Sequence, residues 1–589
     1  MRHAALSSTA ARVVALAALA ALTWLGDAWA AGPAEGLIVR LRNPVAHELR
    51  DELLQRREAG RWGAVLQAAA LAGSSGQREP LRRAVGRDQQ LLDFGRSLPP
   101  DEAERLAARL RKHPDVEWVA PNTREQRLQL SSDPLSAQQW WLKPVAGSNA
   151  NAPADRLRGV AGFQSAWHSG IAATRTTVVA VLDTGITPHP DLAGRVLPGH
   201  DFVSDTVFAN DGDGRDDDPA DPGDGVSSAD LADTRFNGCQ EARSSWHGTV
   251  IAGMLAAITD NSVGVAGINP SARVLPVRVA GKCGATVADI VDGMRWAAGL
   301  AVSGAPVNAN PARIVNISFG SASACGPEYQ TAIDELRAHG VLVVAAAGNE
   351  HGALGRPANC AGAVGVVALN RDGFKTHYSN FGAAATASGI ATVGGDDRQG
   401  GAWGAWLADS GLLSVWNNGL QAPGGADYAY FFGTSFSAPL VAGTLSLMLS
   451  VNPALSADQL LAGLRASARG HVTSPLIGAC AETNPGRCIC STQTCGAGIL
   501  DAEQALRFAA DPGSYVAPTR TPAVIDNPEI GAAAALGPDR PANPVAAPPP
   551  AQPSRGGGAA SVAWVLALAW AGVVLRFSRG LKDVATRRV

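Results

Sequence analysis

The stretch TTVVAVLDTGI, residues 176–186, decides the fold. Its first seven residues are β-branched or apolar with no polar alternation, the pattern of a strand buried on both faces. An acid, Asp183, ends the run, and Gly185 follows two residues later. RIVNISFG (313–320) and VLVVAAAGN (341–349) repeat the design, each an apolar run closed by a glycine. Helical segments lie between these runs. Continuous apolar strands alternating with helices imply an α/β fold, a parallel sheet with helices on both faces. The region carrying this pattern runs from about residue 133 to 510.

The flanks read differently. Residues 1–30 combine Arg2 and Arg12, an apolar run from Val13 to Leu25, and Ala28-Trp29-Ala30 as a small-x-small site, which is a secretory signal peptide. EGLIVRLRN (35–43) reads as a strand, and DEAERLAARLRKHPDVEWVAPN (101–122) as an amphipathic helix, a His-Pro stop and a short strand. Residues 31–132 therefore form a small α+β domain. Residues 511–558 hold eleven prolines and end in three glycines, and read as an extended linker. Residues 559–575 are seventeen uncharged residues followed by Arg576, Arg579, Lys582, Arg587 and Arg588, a short membrane span with a basic flank.

A formal net charge of −3 offers no basic field for nucleic acid. The eight cysteines are an even number in an exported chain, so disulfides are expected. Cys488, Cys490 and Cys495 superficially suggest zinc spacing. The absence of a nearby histidine and an oxidising destination argue against it.

Three positions could carry chemistry. Asp183 ends a buried strand at the sheet edge where ligands bind in open α/β folds. His247 opens a helix in SSWHGTVIAGMLAAI (244–258). In YFFGTSFSAPLVAG (430–443), Ser435 falls in the first turn of a helix, where Pro439 is still tolerated. Ser437 points about 200° away round that helix, so only one of the two serines can serve the site. A serine hydroxyl needs a base to take its proton and a third group to orient that base. Asp, His, Ser is a chain order that satisfies this requirement. The α/β-hydrolase pattern G-x-S-x-G fails, because 433–437 ends in serine.

VLDTGI, HGTVIAG, AAAGN and GTSFSAPLVAG resemble, in order, four blocks of the subtilisin-like serine proteases. The resemblance implies a subtilisin-like parallel sheet for 133–510 and a secreted endopeptidase acting on protein or peptide substrates. It implies Asp183 as the residue orienting the base, His247 as the base and Ser435 as the nucleophile. Asn349 would supply the oxyanion amide, and Ser318, Phe319 and Gly320 with Ala347 and Gly348 would wall the first specificity pocket. The strand near VRVAGKCG (277–284) would pair with extended substrate. DVEWVAPN resembles the end of an inhibitory propeptide, giving 31–132 the role of intramolecular inhibitor and folding aid. The same resemblance, with loop proximity, implies disulfides Cys239–Cys283 and Cys325–Cys360, and a local cluster among Cys480, Cys488, Cys490 and Cys495. Val250 stands where the family has a second histidine, and Phe436 and Leu440 where many members have Met and His. Residues 559–589 resemble bacterial Gly-Gly-type sorting tails cut by a membrane protease. The mature protein is then expected in the medium or at the cell surface, as a monomer.

Residues 205–233 hold ten Asp against one Arg. Calcium would neutralise that density with hard oxygen ligands, and Asp211, Asp213, Asp216 and Asp218 are the candidates. The rival functional reading is an inactive surface protein of this fold, used in adhesion or as a scaffold. All four reactive positions are retained, which argues for the enzyme.

Overall fold

Seven parallel strands form the main sheet of the computed structural model, which describes residues 34–42, 52–70, 81–85, 89–123, 132–146, 156–383 and 388–539. The signal-peptide stretch and residues 559–589 lie outside the described residues. The chain divides into two units, residues 1–128 and 129–589.

The first unit contains β1 (Ala34–Leu41), α1 (Glu52–Ala70), β2 (Leu81–Val85), β3 (Gln89–Asp93), α2 (Pro100–Leu110) and β4 (Val116–Thr123). Its strands form an antiparallel sheet in the order β2-β3-β1-β4. Leu37, Val39 and Leu41 of β1 meet Trp62 and Val65 of α1 and Leu106 and Leu110 of α2 in one core. The α+β character expected from residues 35–43 and 101–122 is present, and α1, β2 and β3 complete it.

The second unit holds β5 (Thr177–Asp183), β6 (His200–Asp201), α3 (His247–Ala256), β7 (Ala272–Arg278), β8 (Ala280–Gly281), β9 (Gly284–Ala285) and α4 (Val287–Ala297). It continues through β10 (Ile314–Ile317), α5 (Pro327–Ala338), β11 (Leu342–Ala346), β12 (Val364–Leu369) and β13 (Ile390–Val393). The hairpin β14 (Leu412–Asn417) and β15 (Ala426–Phe431) leads into α6 (Thr434–Val451), α7 (Ala457–Ser467), α8 (Ala502–Ala510) and α9 (Pro528–Ala534). The sheet order is β13-β12-β11-β10-β5-β7-β6, with every pair parallel.

The unbroken apolar strands arise because both sheet faces are covered. Val179 and Val181 of β5 turn toward α3 and α6, whereas Ala180 and Leu182 turn toward α4 and α5. Helix starts are locally specified: Ser456 and Gln459 form a reciprocal capping box at α7, and Thr286 caps α4. α6 is the one helix among the described residues long and apolar enough to cross a membrane, and it is buried in the core.

Residues 511–539 correct the linker expectation. Ile525, Ile530 and Ala533 are buried in a cluster with Phe374, Trp403 and Ile477. Residues 523 and 525 bracket Thr473 by backbone hydrogen bonds of 2.8 and 2.7 Å. Asp539 accepts from the backbone of Trp403 at 2.9 Å and from the Arg487 guanidinium at 3.0 Å. The segment has no core of its own and uses the surface of the second unit as one, an arrangement that prolines in extended backbone permit.

The structure pairs all eight cysteines. Cys239–Cys283 and Cys325–Cys360 join as the resemblance implied, and the local cluster resolves into Cys480–Cys488 and Cys490–Cys495.

Candidate active site

Asp183 ends β5 with no solvent exposure, and His247 opens α3. Both oxygens of Asp183 lie 2.9 Å from His247 Nδ1, and Oδ1 also accepts the backbone N–H of Thr184 at 2.8 Å. Gly248 makes this approach possible. A Cβ there would sit 2.1 Å from the Gly185 carbonyl oxygen and 3.1 Å from Asp183 Cβ. Trp246, just before the histidine, adopts a left-handed conformation with φ 53°, and its indole donates to the Gly419 carbonyl at 2.8 Å.

Burial works against a charge on His247. The charge and hydrogen bond of Asp183, supported by Asp224 and Asp221, outweigh it, and the ring holds its proton more tightly than an ordinary histidine. The ring keeps 15% exposure and stands 5.5 Å from the Phe319 ring and 5.4 Å from that of Phe436. These neighbours follow Ser318 and Ser435 in sequence, so the turn after β10 and the start of α6 converge on the histidine.

Ser435 is 8% exposed, in the first turn of α6 after Gly433. Its hydroxyl donates to the Ser318 carbonyl at 3.0 Å rather than to His247, and Ser318 Oγ donates to the Ser435 carbonyl at 2.9 Å. Ser437 is fully buried and donates to the Val393 carbonyl of β13 at 3.1 Å. That serine fastens helix to sheet.

Asn349 follows β11. Its Oδ1 accepts from both the backbone N–H and the hydroxyl of Thr434, each at 3.0 Å. With the oxygen committed to Thr434, the amide Nδ2 is the end left for a ligand. Thr434 Oγ1 in turn accepts the Gly348 N–H at 3.1 Å. Ser318, Phe319 and Gly320 leave β10, and Ala347 and Gly348 leave its parallel neighbour β11, so the five expected pocket residues lie side by side.

The four candidate calcium ligands are not drawn together. Asp211 is ion-paired with buried Arg278, which also pairs with Asp201. Asp216 accepts the Asp218 N–H at 2.8 Å, and Asp218 accepts the Ala220 N–H at 3.0 Å. Among the described residues no three carboxylates bring ligand oxygens within 4.8 Å of one another. With Asp211 committed to Arg278, and Asp216 and Asp218 each accepting a backbone N–H, these four residues do not fit calcium as a set. The Cys480, Cys490 and Cys495 sulfurs do lie that close, but all are in disulfides.

Sequence reasoning missed Thr434, which orients Asn349, and Asp221 and Asp224, whose carboxylates accept from Thr184 and Ser245 beside the histidine. Thr434 sits inside the GTS triplet and was open to inspection. The two aspartates were hidden within the acidic count.

Residues 174–497 match the subtilase family. The chain is 38% identical over 434 residues to the extracellular protease of Xanthomonas campestris, covering 73% of this chain and 65% of that protein. It is 36% identical to the extracellular basic protease of Dichelobacter nodosus, covering 59% of this chain and 53% of that one. It thus spans about two thirds and about half of these two relatives. It is 30% identical to subtilisin Savinase of Lederbergia lenta, covering 62% of this chain and 98% of that protein. A solved protease of Pseudoalteromonas arctica aligns with a TM-score of 0.54 and 37% identity, covering 65% of this chain and all of that one. With its parallel sheet and its four sequence blocks gathered at one edge, the chain belongs to the subtilase family.

Proposed function

We propose that the chain is an exported serine endopeptidase acting through Asp183, His247 and Ser435. The observation that carries this reading is the contact of both Asp183 oxygens with His247 Nδ1, each at 2.9 Å. It commits Nδ1 as the protonated nitrogen and leaves Nε2 to accept a proton. Ser435 Oγ gives its proton to Nε2 as it bonds to the carbonyl carbon of the scissile peptide. The carbonyl oxygen, now negative, is met by Asn349 Nδ2 and the Ser435 N–H, which lies in a first helical turn whose N–H groups have no helical partner. Collapse of this intermediate breaks the C–N bond, and the leaving amine takes the proton from Nε2. Water, deprotonated by the same nitrogen, then releases the acyl group and restores Ser435.

The α+β unit within residues 31–132 acts in this reading as the propeptide, inhibiting the enzyme until self-cleavage. Extracellular relatives support export, and residues 559–589 serve as the sorting tail. Substrates are proteins or peptides in extended form.

Peptide hydrolysis by purified enzyme tests the reading. His247→Ala and Ser435→Ala should each lose at least about a thousandfold in kcat/KM. Ser435→Ala should also accumulate as uncut precursor in a protease-free host. Normal turnover in either variant would refute the assignment.

A further inference from the structure

Residues 221–225 read DPGDG and belong to the acidic stretch that the sequence associates with a cation. In the structure they turn inward. Asp224 grips Ser245 with both oxygens: Oδ1 accepts the backbone N–H at 2.6 Å and Oδ2 the hydroxyl at 2.7 Å. Ser245 stands two residues before His247, and the left-handed Trp246 lies between them. Asp221 reaches the other side. Its Oδ2 accepts the Thr184 hydroxyl at 2.6 Å, and Thr184 Oγ1 accepts the Gly248 N–H at 3.1 Å. The four residues 245–248, the histidine among them, are therefore held at one end by Asp224 directly and at the other by Asp221 through Thr184.

The loop itself is fixed. Asp221 N–H donates to the Ile186 carbonyl at 3.0 Å, and Gly225 N–H to Ser244 Oγ at 3.1 Å. A Cβ on Gly223 would come 1.9 Å from the Gln421 carbonyl oxygen. A left-handed tryptophan persists only where its surroundings over-determine it. The Ser245 grip and the indole bond to Gly419 are those surroundings.

We propose that residues 221–225 clamp the catalytic base, with Asp224 as a positioning residue that fixes His247 through Ser245 and places a second negative charge near its imidazolium. The proposal rests on His247 being the general base. The charges acting on the ring are Asp183 on β5 and Asp221 and Asp224 on the loop; Arg278 on β7 offsets Asp221, and Asp191, in the turn packed against α3, is held by Asn261, the Val265 N–H and Tyr428. α6 and β14, both packed against α3, carry no titratable side chain. Burial raises both loop carboxyls, with the charge of Asp224 adding to the effect on Asp221, while the two Ser245 hydrogen bonds and the imidazolium favour the ionised form of Asp224.

The test uses the mature enzyme, with rates normalised to active sites titrated by a fluorophosphonate. Asp224→Asn should move the acidic limb of the kcat/KM profile down by about half to one pH unit, because a charge favouring the protonated ring is gone. It should also lower kcat about tenfold with KM little changed, the signature of a displaced base. Ser245→Ala keeps the charge but loosens the grip; it should lower kcat severalfold and leave the limb in place. Asp233→Asn, a partly exposed cap in the same acidic stretch, should change neither. An Asp224→Asn enzyme with the parent's limb and kcat overturns the clamp. If that variant does not accumulate folded, Ser245→Ala with the parent's kcat overturns it instead. A fully active His247→Ala would remove the underlying reading, a result distinct from failure of the clamp alone.

Discussion

Ser318 and Ser435 exchange hydrogen bonds: Ser318 Oγ donates to the Ser435 carbonyl at 2.9 Å, and Ser435 Oγ donates to the Ser318 carbonyl at 3.0 Å. Pro439 explains the first of these. In an α-helix the N–H four residues on would take the Ser435 carbonyl, and proline has none to give. The strand end that walls the expected pocket thereby caps the helix that carries the expected nucleophile. The second bond holds the Ser435 hydroxyl away from His247, and the proposed mechanism requires it to turn toward that ring.

Removing the Ser318 hydroxyl leaves the Ser435 carbonyl buried and unpaired. Ser318→Ala should cost about 1–3 kcal/mol in denaturant unfolding. In a Pro439→Ala background the cost should shrink, since the new N–H at 439 can take that carbonyl. An equal loss in both backgrounds would show that the two groups do not share this acceptor.

Gly248 is the contact on which the Asp183–His247 distance depends. Gly248→Ala must push α3 off the strand end by more than an ångström, given the 2.1 Å approach to the Gly185 carbonyl oxygen. Activity should fall about a hundredfold or more in whatever protein folds. Retained kcat with a folded spectrum would contradict the close approach.

The pH dependence follows from the sign of the His247 shift. A raised pKa means that the folded state holds the proton more tightly, so this group's stabilisation is present below the ordinary histidine value and lost as pH rises through the raised one. Activity runs the other way, because the base works only when neutral. The acidic limb of kcat/KM should therefore have its midpoint above 6.5, the unshifted value. A midpoint at or below that value would mean that Asp183 does not hold the imidazolium.

The C-terminal segment to residue 539 should behave as part of the enzyme. Arg487 and Asp539 are ion-paired at 3.0 Å with neither side chain exposed. Asp539→Ala leaves a buried guanidinium short of one partner and should cost about 3–5 kcal/mol, read as a lower Tm. Truncation after residue 526, which removes α9, should destabilise the enzyme likewise. A truncated enzyme with the parent's Tm would return the segment to the status of a linker.

The strand runs were legible because burial on both faces leaves an unalternating apolar signature. The candidate reactive residues stood out because a glycine or proline lies within four positions of each: Gly185, Gly248, Gly348 and Pro439. What escaped was non-local. The partner of Asp211 is Arg278, sixty-seven positions away, so counting charge within the loop could not find it. Residues 511–539 offer few large apolar side chains, scattered among prolines, because Ile525 and Ile530 pack on a surface built by other residues. The last four cysteines lie too close in sequence for spacing alone to choose their pairs.

The proposed mechanism stands on Ser435 as nucleophile and His247 as its base. Reaction of the mature enzyme with a fluorophosphonate, followed by peptide mass mapping, tests it most directly. A single stoichiometric adduct is expected on Ser435, abolished in Ser435→Ala and slowed by at least about a thousandfold in His247→Ala, both variants having been cut after the propeptide by added wild-type enzyme that is then removed. An adduct on Ser437 or another residue, or labelling of Ser435 at full rate without His247, would contradict it.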